Sequence, residues 1–222
     1  MIRKEVTEMK KNIVFTISRQ YGSGGRTVGK MLADELGIHY YDKELMKLAA
    51  EESGINESLF VQADENVDDK NPLLVRVMKN VYQGELISPK SDDFVSRENL
   101  FNYQAKVLKK LAETESCVII GRCADFVLKD YENVVSVFVH APKDFLMEQA
   151  AKKQSYRDKE LEKFIEKTDR YKADYYHYHT GQQWTDARNY DLCLNSGRLG
   201  FDKCVEEIKA YSKVRFGDDI FD

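Results

Sequence analysis

Ile13-Val-Phe-Thr-Ile-Ser-Arg-Gln-Tyr-Gly-Ser-Gly-Gly-Arg-Thr-Val28 reads as a buried strand, a glycine-rich turn and the opening turn of an amphipathic helix. The strand piece is almost continuously apolar, which suits a strand covered on both faces. Gly22, Gly24 and Gly25 let the backbone take positive φ and approach a ligand closely, while Ser23 and Thr27 add hydroxyls. A strand that ends in such a turn and feeds a helix presents clustered backbone N–H groups and a helix N-terminus to a phosphate. A glycine-rich β–α turn without a ligand is the plainer alternative, and the agreement of order with composition favours the anion site.

The stretch nearly matches the Walker A pattern, GxxxxGK followed by Ser or Thr, and two registers compete. Gly24 with Gly29-Lys30-Met31 matches GxxxxGK, but Gly29 and Lys30 would lie inside the helix between core-facing Val28 and Met31. Met31 also has no hydroxyl to offer magnesium. The register that respects strand and helix is Arg19-Gln-Tyr-Gly-Ser-Gly-Gly-Arg-Thr27. Arg19 then stands at the usual first glycine, Gly25 at the usual lysine, and Arg26 is the nearest cation. A guanidinium can hold two phosphate oxygens in a fork, so Arg26 is the candidate to cover part of the lysine's task. Thr27 is the candidate magnesium contact, directly or through water.

Outward from this loop, short apolar runs alternate with helical patterns, which predicts an α/β fold with a parallel sheet of about five strands and helices on both faces. The strands are expected at Ile13–Ser18, His39–Tyr41, Cys117–Gly121, Val134–His140 and Leu192–Asn195. Helices are expected at Thr27–Leu36 with Gly37 as C-cap, at Lys43–Ala50 with Asp42 placed to cap it, and at Pro142–Ala151 and Phe201–Val214. Residues 56–116 read as a helical insertion too small for a core of its own, with pieces at Leu73–Val81 and about Arg97–Ala112. The charged segment Tyr156–Asp174 reads as a polar helix, either a solvated face or a mobile one. The whole, residues 1–222, is expected to be one domain.

Composition narrows the function classes. Of the 222 residues, 42% are hydrophobic and 32% charged, enough apolar material for a core and too much for disorder. A net charge of −4 gives no electrostatic reason to bind nucleic acid. No run approaches the ~18 apolar residues of a membrane span, and Met1–Asn12 lacks the apolar centre of a signal peptide, so a cytoplasmic protein without membrane partners is expected. Cys117, Cys123, Cys193 and Cys204 show no zinc spacing and are expected to be reduced and structural. His177 and His179 are expected to pack among Tyr175, Tyr176 and Tyr178 rather than hold a metal.

With the loop in its second register the chain resembles the cytidylate kinase-like family. The likeness is carried by Ile17–Arg26, Leu32–Gly37, Tyr40–Asp42, Val118–Asp125, Val137–Ala141 and Trp184–Asn195, collinear over most of residues 13–214. It implies a three-layer P-loop fold, an acceptor-side helical insertion at 56–116 and a charged lid at 156–180. It also implies transfer of the γ-phosphoryl group of ATP, with Mg2+, to a small phosphorylated acceptor, CMP or dCMP. Cytidylate kinases carry Gly-Lys-Gly-Thr where this chain has Gly24-Gly-Arg-Thr27. The departure bears on the chemical step more than on the fold.

Under that resemblance Gly22, Ser23, Gly24, Gly25, Arg26 and Thr27 hold the donor. Gly121-Arg122 ends the third strand at the carboxyl edge, where open α/β sheets bind ligands. Arg122 resembles the arginine that holds the acceptor, with Asp125 one helical turn on; a surface Arg122–Asp125 pair is the alternative. Asp169-x-x-Lys172 resembles the lid pattern Asp-x-x-Arg, and Arg157, Arg170 and Lys172 are the lid cations. Asp42 either orients the acceptor or caps the next helix. Catalytic roles are thus expected of Arg26, Arg122, Arg170 and Lys172, and acceptor contacts of Asp42, Arg122, Asp125 and Asp169. Two rivals stand beside this: a non-catalytic nucleotide- or phosphate-binding regulator with a degenerate loop, and a kinase for another small molecule. If the Arg26 guanidinium points away from bound nucleotide and pairs with a neighbouring carboxylate, the regulator gains.

Overall fold

The computed structural model describes residues 12–65 and 85–221. The expected helix at Leu73–Val81 lies outside them. Five strands, β1 (Val14–Arg19), β2 (His39–Tyr41), β3 (Cys117–Ile120), β4 (Val134–His140) and β5 (Leu192–Asn195), form one all-parallel sheet in the order β2-β3-β1-β4-β5. Strands at the centre are buried on both faces, as their unbroken apolar runs require. Side chains alternate across the sheet: Val14, Cys117, Ile119, Val134 and Phe138 enter one core, and Phe15, Ile17, Val118, Ile120, Val135 and Val137 the other.

The second of these cores is covered by α1 (Gly25–Leu36) and the C-terminal helix, whose Cys204, Val205 and Ile208 are fully or almost fully buried. The opposite face is covered by α2 (Glu44–Ser53), α3 (Glu57–Glu65), α4 (Arg97–Thr114) and the short α5 (Ala124–Val127). Helices on both faces of a parallel sheet are the α/β architecture the alternating pattern predicts. The described part of the 56–116 segment shares the sheet's core, because α4 puts Leu100, Phe101, Val107, Leu108 and Leu111 into it against the sheet. Ser96 caps it, its hydroxyl accepting from the Asn99 N–H.

Beyond β4 come α6 (Lys143–Ala151) and α7 (Asp158–Thr180), then α8 (Ser196–Leu199) and α9 (Phe201–Phe216). The charged segment ending at Asp174 is therefore only part of a 23-residue helix. Leu161 and Ile165 at its start pack with Ala150, Met147 and Tyr21, while Tyr176 and His179 near its end enter the main core. His179 stacks on Phe101 with ring centroids 4.0 Å apart, and burial pushes its pKa down to about 3. Tyr175 and Tyr178 lie against it as well, so the packing expected of this histidine is what the fold uses. Cys193 is exposed although it sits in an apolar run, since β5 is an edge strand; all four cysteines are free thiols. Among the described residues no helix is long and apolar enough to cross a membrane.

Candidate phosphate-transfer site

The carboxyl ends of β1 and β3 are adjacent and define the site. Gly22 and Gly24 take φ values of 84° and 77°, and α1 begins at Gly25 with no side-chain cap. Its first N–H groups have no carbonyl ahead of them in the helix and point to the loop's mouth. Gly24 also has no room for a side chain: a Cβ there would overlap the Phe201 ring. Ser23 is fully buried, its hydroxyl donating to the Gln20 carbonyl at 2.9 Å, and its own carbonyl accepts from Ser196 Oγ at 2.6 Å. The serine thus holds the loop's shape and is committed to it.

Gly29 lies buried inside α1 and Lys30 is exposed, paired with Asp34 at 2.6 Å. The competing GxxxxGK register is thereby excluded on geometry.

Gly121, Arg122 and Cys123 are three consecutive left-handed residues, with φ of 69°, 58° and 54°. Left-handed backbone is costly for side-chain-bearing residues and recurs at functional sites. Here it turns Arg122 back over α2, where Nε donates to the Asp42 carbonyl at 3.3 Å and Nη1 lies 3.4 Å from Met46 Sδ.

Two cavities open at these strand ends. A smaller one of about 260 Å³ is lined by Gly22, Gly24, Gly25, Thr27 and neighbours from α6 and α7. A larger one of about 630 Å³ is lined by Asp42, Arg122 and the α7 stripe Phe164, Lys167, Thr168, Tyr171, Lys172 and Tyr175, closed by Trp184. That stripe has helical spacing, so one face of α7 forms the wall. Arg19, Arg26, Thr168 and Lys172 line both cavities and mark where they meet.

Lys172 is a half-sheltered cation: burial, with Arg19 and Arg26 nearby, pulls its pKa down to about 8 against the opposing pull of Asp169. Its ammonium donates to the Arg19 carbonyl at 3.3 Å and to Asp169 Oδ1 at 2.8 Å, and stands 5.6 Å from the Tyr21 and Trp184 ring centroids.

The remaining expected residues divide. Arg26 forms a 2.8 Å ion pair with Asp42, so the arginine meets a carboxylate rather than standing free over the loop. Asp42 does not cap α2, whose N-cap is Lys43 and has no side-chain hydrogen bond. Asp169 accepts the Tyr21 N–H at 2.7 Å and braces the loop to α7 without lining either cavity. Arg170, one position off the stripe, is exposed and lines neither. Arg157 is also exposed and serves as the N-cap of α7.

Asp125 is buried, accepts from Tyr176 Oη at 2.6 Å and Ser18 Oγ at 3.4 Å, and forms no surface pair with Arg122. Burial pushes its pKa up to about 6 against those hydrogen bonds. It lines a separate cavity of about 340 Å³ behind the site. Sequence reading missed Lys167, Tyr171 and the position of Arg19; the only available signal for Arg19 was a charged residue at a loop position that usually holds glycine.

Thr27 lies in the first turn of α1 at the smaller cavity, half-buried, and its hydroxyl is the kind of oxygen ligand that a magnesium ion carried on phosphate oxygens would take. A family model described as the cytidylate kinase-like family matches residues 14–198. Among solved structures the chain is similar to an uncharacterized protein from Eubacterium ventriosum ATCC 27560, at 26% identity and a TM-score of 0.67 over 92% of this chain and 100% of that one. It is also similar to a shikimate kinase from Bacteroides thetaiotaomicron, at 16% identity and a TM-score of 0.50 over 90% and 98%. The latter likeness shows a shared P-loop kinase fold and nothing finer. No curated protein matches the chain.

Proposed function

The chain belongs to the cytidylate kinase-like family, and on that premise we propose that it transfers the γ-phosphoryl group of ATP to a nucleoside monophosphate, CMP or dCMP. The observation that carries the reading is the meeting of the two cavities at Arg19, Arg26, Thr168 and Lys172. A phosphoryl group moving between a donor in one and an acceptor in the other would cross that boundary. The glycine loop supports a triphosphate by backbone N–H donors, and the larger cavity joins cations to aromatic walls, which suits an anion bearing a planar base.

In this reading an acceptor phosphate oxygen attacks the γ-phosphorus as the bond to the β–γ bridging oxygen breaks, releasing ADP. The acceptor is already anionic, so positioning and charge neutralisation matter more than a general base. Lys172 and Arg122 supply cations from two sides, and Asp42 steers Arg26. Arg170 contributes only if α7 shifts on ligand binding. Magnesium, held on the phosphates and by Thr27, would neutralise charge on the donor.

The test is purified protein with Mg-ATP and a panel of monophosphates, followed for diphosphate and ADP. Turnover with a cytidine monophosphate is expected; background rates with every acceptor, in protein that still binds ATP, sink the kinase reading. One observation bears on the rival regulator: Arg26 is paired with Asp42, and the regulator gains if that pair persists with the guanidinium turned away from bound nucleotide. In that case nucleotide binding persists without transfer. A turnover seen only with another small acceptor would keep the kinase and replace its substrate.

A further inference from the structure

We propose that Arg19 is the phosphate-clamping cation of this site, an arginine carried by the strand in place of the lysine that position 25 lacks. The catalytic part rests on the kinase reading above; the binding part needs only that the loop holds a polyphosphate.

The first argument is space. A Cβ built at Gly25 would overlap the Cβ of Arg19, lie 3.0 Å from its Cγ and 3.3 Å from the Cβ of Val139. The stem of Arg19 therefore fills the volume that a side chain at 25 would need. A long cation fits at one of the two positions and not at both. The sequence shows the same exchange, with arginine at the loop's usual first glycine and glycine at its usual lysine.

The second argument is reach. A Cβ at Gly121 would overlap Arg19 Nη1 and lie 3.4 Å from its Cζ. The guanidinium thus crosses from the end of β1 to the end of β3, at the boundary where the two cavities meet. Glycine at 121 keeps that path open.

The third argument is electrostatic. Burial is the main cause that lowers the pKa of Lys172, and Arg19 and Arg26 add to it against the pull of Asp169, so the three cations face one another where the cavities meet. An anion bound among them relieves that repulsion. The planar fork of a guanidinium also matches two phosphate oxygens.

The experiment uses the full chain with Arg19→Met, which keeps much of the stem and removes the charge. Beside it stand Gly25→Lys, the double variant Arg19→Gly with Gly25→Lys, and Lys30→Met as an exposed-charge control. Circular dichroism melts establish folding. Calorimetry with Mg-ATP and with tripolyphosphate reads binding, and product formation reads transfer.

Arg19→Met should weaken both ligands about 30-fold and slow transfer about 1000-fold, while Lys30→Met changes neither more than about twofold. Gly25→Lys alone should melt lower than the parent, and the double variant should recover at least about tenfold of the lost binding. Binding by Arg19→Met within about threefold of the parent, or a folded double variant as weak as Arg19→Met, overturns the proposal. If the parent turns over no acceptor, the kinase reading falls and the two binding arms still decide Arg19. If the parent transfers phosphate and Arg19→Met does so equally fast, Arg19 falls and the kinase reading stands.

Discussion

β1 and β3 lie side by side and both hand over to a helix at their carboxyl ends, yet they turn the chain differently. The exit from β1 places glycines where φ is positive, at Gly22 and Gly24, so the turn carries little strain. The exit from β3 begins with Gly121 but then holds Arg122 and Cys123 left-handed, at a cost of about 1–3 kcal/mol for each such residue. The first turn offers backbone to a ligand. The second gives up stability to aim a side chain. In the proposed reading, a shape that many anions fit and a cation set for one acceptor are different tasks, and the two turns divide them.

The largest effect is expected where the glycine turn loses its freedom. Gly24→Ala puts a Cβ at positive φ and into the Phe201 ring. It should cost about 3 kcal/mol of stability, read by denaturant melts, and abolish Mg-ATP binding. At the other turn the signs should part. Arg122→Gly relieves left-handed strain, so stability should stay level or rise by about 1 kcal/mol while transfer falls about 100-fold. A variant both less stable and fully active would break the contrast between the two exits.

Smaller effects follow from the groups that lean on each turn. Lys172 faces Asp169, Arg19 and Arg26 above the first, and with a pKa near 8 it loses its charge on the alkaline side. The rate, kcat/KM, should therefore fall above about pH 8. In kcat the limb should move to higher pH, because bound phosphate stabilises the ammonium. Lys172→Arg should flatten it.

Asp125, under the second turn, ties Ser18 of β1 to Tyr176 of α7. Its folded pKa of about 6 lies above the unfolded value, so the folded state binds the extra proton between about pH 4 and pH 6. Its contribution to stability is then fully present below that window and declines as pH rises through it. Asp125→Asn should remove that slope, as melts at several pH values will read. The least effect belongs to Lys30→Ala, within about 0.5 kcal/mol, because Lys30 is exposed and outside the loop.

The sequence displayed the sheet well, because its cues are local. Apolar runs located all five strands to within a residue, and glycines marked the loop and the end of α1. Side-chain destinations were less legible, since they depend on residues far along the chain. Arg19 finds its space at Gly25 and its reach at Gly121 only after β1 and β3 pair. Asp42 read either as a cap or as an acceptor contact, and the fold brings Arg26 to it. The charge of residues 156–174 suggested a polar helix, while its continuation to Thr180 is fixed by Tyr176 and His179 entering a core that α4 helps to form. Edge position was invisible too, and Cys193 is exposed because β5 lies at the edge of the sheet.

The strand order has a consequence for how the chain is made. β1 is central, and Val14 takes Cys117 and Val134 as its neighbours on either side. Its partners are therefore synthesised long after it, and a sheet built from such distant pairings folds slowly. Until residues through Ile120 have emerged, the apolar strand that carries the glycine loop has neither of its partner strands, and the second waits for His140. During translation it is an exposed hydrophobic segment of the kind that chaperones shield.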